Sequence, residues 1–254
     1  MVTAILTVWK RNYLEEQLNR LLAQVIPPEE IWVYQCHNYI NVENILKKFP
    51  LVKYQFNTNN LSYFGRFSLG LHVKTPYLYI LDDDVIPSFN WIENCLKTCF
   101  EKNSIVGSSG RIIPFNDYSP EMVKSRKHYY ECYIGDYDNL SSANYCPKDT
   151  FIDYGCNSWF FKTEWLKYFW SIKPYTFDSG EDIHLSASCQ IMGNIKTICP
   201  FQDGKVLSGN MMKYYGWDSI ASHKKQDFHI IREKIFRYLI DTCGWTPLTW
   251  HTRI

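Results

Sequence analysis

Residues 77–88 read YLYILDDDVIPS, placing Asp82, Asp83 and Asp84 side by side after an apolar run. Three adjacent carboxylates repel one another, and partly desolvating each costs several kcal/mol unless something compensates it. A cation is the simplest compensation. Aspartate is short and offers hard oxygen, which suits Mg²⁺ or Mn²⁺ with coordination positions left open for phosphate oxygens. A diphosphate is the ligand this arrangement anticipates. The plain alternative is a solvated acidic turn, with Asp84 capping a helix beyond Pro87.

A second acidic pair, Glu181-Asp182, follows the loop FDSG. Carboxylates at a helix start serve as caps or dipole partners. Here the apolar positions Ile183, Leu185, Ala187 and Ile191 anchor the helix, while Gly180 allows close backbone approach. The pair is expected at the exposed start of that helix. Arg11 and Arg66 are the cations whose positions suit an anionic ligand.

The elements that must position these groups alternate. Ala4–Val8 reads as a strand, Tyr13–Val25 as a helix with Leu14, Leu18, Leu21 and Leu22 at helical spacing, and Pro27-Pro28 as its stop. Strands follow over Ile31–Gln35, Val52–Phe56 and Tyr77–Leu81, separated by helices over Val42–Phe49 and Tyr63–Val73. This order predicts an α/β fold with a mostly parallel sheet, whose ligands bind beyond the carboxyl ends of the strands. After Pro87 come a helix at Trp91–Phe100, a strand near Ile105–Ser109, and an unassigned polar, aromatic stretch from Asn116 to Asp149. Phe151–Phe161 reads as a strand, Glu164–Phe169 and Glu181–Met192 as helices, and Ile195–Ile198 as a strand.

The 254 residues, 46% hydrophobic and 17% aromatic, are enough for one sizeable core. The expected organisation is a single domain over 1–254, with a nucleotide-binding half at 1–87 and an acceptor-binding, catalytic half at 88–254. Lys plus Arg (27) nearly cancels Asp plus Glu (26), which argues against electrostatic capture of nucleic acid or anionic membrane. Nine cysteines without a CxxC pair argue against zinc and a disulfide framework, and point to a reducing, cytoplasmic setting. No apolar stretch approaches the roughly 20 residues of a membrane span, although an anchor beyond this chain is compatible with the sequence.

LDDDV followed by GEDIHLS, with TVWKR at the first strand and FGRF before the triplet, resembles glycosyltransferases of GT-A fold. The likeness is to the exostosin-like family 64 enzymes and to family 2. It implies a Rossmann-like nucleotide-diphospho-sugar transferase that uses Mn²⁺ or Mg²⁺, a UDP-sugar donor and a glycan or glycoconjugate acceptor. By this resemblance Thr7, Trp9, Arg11, Gln35, Asn59 and Arg66 hold the nucleotide. Gln35 stands where these families have Asp or Asn. Asp82 and Asp83 belong to the donor site, Asp84 is the direct metal ligand, and Asp82 and His223 complete the metal set. Glu181 and Asp182 are the catalytic pair, and Lys224, Lys225 and Arg232 either assist the leaving diphosphate or only solvate the surface. In inverting family 2 enzymes the Asp takes the acceptor's proton; in retaining family 64 enzymes the carboxylate orients the sugar, and both remain open. Tyr129, Tyr130, Tyr133, Tyr137 and Trp159 suit a sugar cleft, and Trp217 a lid. Other chemistries for the triplet are a phosphatase or nucleotidyltransferase, or a non-catalytic carbohydrate-binding domain. A haloacid-dehalogenase signature would lie on the first strand, whereas this triplet follows the fourth.

Overall fold

The computed structural model describes residues 1–113, 133–135, 144–204, 210–211 and 218–248. Its strands are β1 (Val2–Val8), β2 (Glu30–Cys36), β3 (Lys53–Asn57), β4 (Tyr77–Leu81), β5 (Ile86–Pro87), β6 (Ile105–Arg111) and β7 (Tyr133–Ile134). They continue with β8 (Tyr145–Cys146), β9 (Thr150–Ile152), β10 (Tyr154–Lys162), β11 (Thr197–Cys199), β12 (Gln202–Asp203) and β13 (Asn210–Met211). The helices are α1 (Leu14–Leu22), α2 (Glu43–Leu46), α3 (Gly65–Gly70), α4 (Trp91–Lys102), α5 (Leu166–Ser171), α6 (Glu181–Gly193) and α7 (Phe228–Arg237).

The main sheet runs β3-β2-β1-β4-β10-β6-β11-β9, with β7 also on β6. β1 to β4, β6 and β11 point one way, and β7, β9 and β10 run against them. β1 and β4 are covered on both faces, which is why their sequences are nearly continuous apolar runs. One apolar cluster extends from Val2 to Ile198 and so draws on both expected halves of the chain.

Several expected elements change in extent. The helix read at Val42–Phe49 is a single turn, α2. The one read at Tyr63–Val73 is a 3₁₀ turn, Ser62–Phe64, followed by the short α3. Gly65 lies so near β2 that a Cβ there would stand 1.8 Å from the Tyr34 hydroxyl. The strand read at Phe151–Phe161 breaks at Asp153, whose carboxylate accepts from Ile113 N at 2.5 Å and Leu248 N at 2.7 Å. The described cysteines are free thiols, and no described helix is long and apolar enough to cross a membrane.

Two contacts fix the loop after β4. β10 carries a bulge between Cys156 and Trp159, with Asn157 at φ +69°, and the Asn157 carbonyl accepts from Asp82 N at 3.0 Å. From the other side α1 buries Gln17 along with Leu14, Leu18 and Leu21. Gln17 Nε2 donates to the carbonyls of Asp82 and Val85, both at 2.8 Å. Gln24, one residue past the α1 C-cap, repeats the device by donating to Ser88 O at 2.6 Å and accepting from Ile92 N at 3.0 Å. These glutamines satisfy a turn that leaves the sheet without a ladder partner.

Gln17→Leu keeps the volume but removes both donors. It should lower unfolding stability by about 1–3 kcal/mol, measured as a fall in the urea midpoint at unchanged m-value. An unaltered midpoint would show that water replaces the amide at no cost.

Candidate active site

The three aspartates do not share one partner. Arg66 of α3, only 2% exposed, bonds Asp82 through Nη1, which also donates to Thr7 Oγ1 at 3.3 Å. Arg11, just beyond β1, places Nη1 at 2.6 Å from Asp83 Oδ1 and 3.2 Å from Asp84 Oδ2. Its other edge grips Asp218, Nε at 2.7 Å and Nη2 at 2.8 Å. The charge crowding in LDDDV is therefore met first by guanidinium groups, and the compensation is incomplete. Burial, then Asp82 and Asp83, push the Asp84 carboxyl up to about 8 in spite of Arg11. Burial also raises Asp83 against the pull of Arg11. Asp83 Oδ2 and Asp84 Oδ1 are buried without a hydrogen-bond partner.

The second acidic pair corrects one expectation. Glu181 and Asp182 are 6% and 8% exposed, not at an open helix start. Gly180 precedes them at φ +80°, and a Cβ there would meet Ile235 Cδ1 at 2.4 Å, so α7 packs down over the start of α6. Glu181 Oε1 accepts from Arg66 Nη2 at 2.8 Å. Arg66 thus joins the triplet to a carboxylate 115 residues away from itself in sequence. Its guanidinium lies 4.9 Å over the Trp159 ring, a desolvated cation–π seat. Burial and Asp182 together outweigh Arg66 and push the Glu181 carboxyl up to about 7. Asp182 is held by both arms of Arg232, at 3.0 and 2.8 Å. Arg232, read as a surface or leaving-group cation, is instead buried at 7% exposure between the rings of Tyr154 and Phe228.

Thr7, Arg11, Arg66, Asp82, Asp83, Asp84 and Glu181 meet in this way at the carboxyl edge of the sheet, with Asp182 beside them. Trp9 packs edge-on to Tyr39 at 6.1 Å, with Lys10 Nζ 4.5 Å over its ring. Gln35 is 1% exposed and fully engaged, accepting from Tyr54 Oη at 2.7 Å and donating to Ile40 O at 2.7 Å. It supports the loop bearing Tyr39 and does not present its amide to a ligand. Asn59 is exposed, apart from the carboxylates' ion pairs. His223 is half-buried, and burial followed by Lys224, Arg111 and Arg11 holds its imidazole below the ordinary range. Among the described residues no three His, Cys, Asp or Glu side chains converge as a ready cation cage, so Asp82, Asp84 and His223 are not preassembled. Trp159 is core, 1% exposed, with Nε1 donating to Gly155 O at 2.9 Å, so it offers no face to a sugar. Tyr129, Tyr130, Tyr137 and Trp217 lie outside the described residues, as does the side chain of Tyr133.

Two residues of the site, Asp218 and Tyr63, were missed, and a third, Arg232, was given the wrong surroundings. Asp218 gave no periodic signal. Tyr63 sits where burial, Glu181 and Asp82 push its phenol up to about 12, and Lys225 Nζ donates to it at 3.4 Å. Arg232 left a trace in the sequence. It lies four residues from both Phe228 and Phe236, on the inward stripe of FHIIREKIF.

A mostly parallel α/β sheet with two acidic motifs at its carboxyl edge defines the GT-A class. Residues 3–167 match the family model Glycosyl transferase family 2, and the chain belongs to that family. The family 2 side of the resemblance is the one this match establishes. Among solved structures, TarS 1-349 of S. aureus is similar, with 14% identity and a TM-score of 0.51 over 77% of this chain and 57% of that one. The same TarS fragment in complex with UDP gives 15% identity and a TM-score of 0.48 over the same shares. The chain thus spans less than two thirds of the TarS fragment it matches. A search of curated proteins finds no match.

Because the folded state holds the Glu181 proton up to about 7, above the ordinary 4.5, this group withdraws stability as pH rises through that interval. Glu181→Gln should remove the effect. Relative to the parent, the variant's urea midpoint should be higher at pH 8 than at pH 5. The same offset at both pH values would show that Glu181 ionises as freely in the fold as in the unfolded chain.

Proposed function

We propose that this protein transfers a sugar from a nucleotide-diphosphate sugar, a UDP-sugar, to a hydroxyl of a glycan or glycoconjugate. The observation that carries the reading is the junction at Arg66, which brings the triplet and the Glu181-Asp182 pair to one sheet edge. Family membership supports the same reaction class.

The donor set suits a divalent cation, Mn²⁺ or Mg²⁺. Asp83 Oδ2 and Asp84 Oδ1 are hard, buried oxygens with no protein partner, a state that costs free energy until something positive meets them. The resemblance gives the ion to Asp84, Asp82 and His223; with Asp82 engaged by Arg66, the unpartnered oxygens favour Asp83 beside Asp84 as the pair that would hold it. A cation bound there supplies charge neutralisation to the diphosphate and stabilises it as a leaving group.

The chain's own residues do the remaining work. Trp9 and Tyr39 form an aromatic corner for the nucleobase, and Thr7 and Arg11 stand at the end of β1 for the ribose and phosphates. The acceptor oxygen attacks the anomeric carbon as the bond from that carbon to the diphosphate oxygen breaks, and a carboxylate of the pair takes the hydroxyl proton. In family 2 this is a single displacement that inverts configuration. The resemblance assigns the proton to Asp182, oriented by the Arg232 fork. A second reading gives it to Glu181, favoured by its carboxyl poised at about 7 while both oxygens of Asp182 are occupied.

Incubation with Mn²⁺ and a panel of nucleotide sugars tests the class. Release of nucleoside diphosphate from one donor supports it, and phosphate release from simple monoesters supports a phosphatase instead. Asp182→Asn should lower turnover by roughly 10²–10⁴ at near-normal donor KM. If Glu181→Gln shows that loss and Asp182→Asn does not, the roles exchange; ordinary turnover in both variants removes the pair from catalysis.

Arg66→Lys keeps the charge but cannot span Asp82 and Glu181 with a planar fork. Donor kcat/KM should fall at least tenfold. An unchanged value would make the junction structural only.

A further inference from the structure

Arg11 is more than a phosphate contact awaiting substrate. Its side chain is 9% exposed, and one terminal nitrogen sits between Asp83 and Asp84 while the opposite edge is held by both oxygens of Asp218. Around this one guanidinium are three carboxylates, and the far oxygens Asp83 Oδ2 and Asp84 Oδ1 are buried and unpartnered. The pair is therefore neutralised on one side only. A divalent cation reaching the free oxygens shares its two carboxylates with a fixed positive charge.

We propose that Arg11 is the resident cation of the Asp83-Asp84 pair in the ligand-free protein and that a divalent metal competes with it. On metal entry, Nη1 leaves the carboxylates for the donor's diphosphate, while Asp218 keeps its grip on Nε and Nη2 and serves as the pivot. Asp218 is a positioning residue in this scheme, acting through Arg11. The exchange rests on the metal-dependent transferase reading above and adds to it an order of events. Metal alone binds against Arg11, whereas metal with nucleotide binds with its help, because the guanidinium then has a phosphate to accept it. The nitrogen on the aspartates is not among those bound to Asp218, and because the guanidinium is one rigid plane the exposed Asp218 side chain would turn with it.

Signs make the test. A divalent ion sharing the Asp83 and Asp84 carboxylates with the guanidinium would be repelled by it, and even water-like screening leaves an effect of about tenfold on affinity. Mn²⁺ titration, read by the electron paramagnetic resonance of free Mn²⁺ without nucleotide, should show about tenfold tighter binding in Arg11→Gln. Arg11→Lys should stay near the parent. With saturating Mn²⁺ the order reverses, and Arg11→Gln should bind UDP at least tenfold more weakly by calorimetry. Arg11→Met repeats both measurements with the packing of the stem retained, should the Gln variant fold poorly. Mn²⁺ affinity in the neutral variants equal to or weaker than the parent's overturns the exchange, even if sugar transfer is demonstrated. No Mn²⁺ binding in the parent or any variant overturns the metal reading as well.

Discussion

The site hangs on a single buried guanidinium. Arg66 reaches Asp82 with one arm and Glu181 with the other, and it rests on the Trp159 ring inside the sheet's core. Removing a charge of this kind from water costs several kcal/mol, which only close, multiple counter-charges repay. The demand works in both directions. Neither Asp82 nor Glu181 can move away without exposing Arg66 to an apolar setting, so the loop after β4 and the start of α6 are held in register. That coupling places the carboxylates of the triplet and of the Glu181-Asp182 pair at one edge.

Around this junction, among the described residues, three arginines are paired with six carboxylates. Arg11, Arg66 and Arg232 face Asp82, Asp83, Asp84, Glu181, Asp182 and Asp218. Burial and like-charged neighbours, outweighing the arginines, push the Asp84 carboxyl up to about 8 and the Glu181 carboxyl up to about 7.

Backbone control comes from uncharged groups. From α1 and the residues just after it, Gln17 and Gln24 satisfy carbonyls of the loop and Gln24 also takes the Ile92 amide in the first turn of α4, while Asn157, at a left-handed bulge of β10, receives the Asp82 amide. Insertion of the antiparallel β10 between β4 and β6 is what brings this bulge beside the triplet. Arg232 does the same work for the second half of the site, tying α7 to the first turn of α6 through Asp182.

Local order was largely legible in the residues. Alternation of apolar runs and leucine-spaced helices sets the parallel sheet, since each such segment must bury its own face. The run YLYIL followed by three aspartates puts the acidic loop at the ligand edge, because a strand covered on both faces ends where its apolar residues end. Pairing across the chain was not legible. Glu181 and Asp182 read as exposed because helix starts favour carboxylates in water, and Arg232 read as a surface charge because charged side chains are seldom buried. Both inferences rest on single residues, whereas burial of a charge depends on a partner's position. Only the tertiary fold sets Arg66 between Asp82 and Glu181, Arg232 on Asp182, and Arg11 between the triplet and Asp218. The energy of an ion pair falls off within a few ångströms, and that distance exists only once the chain has folded.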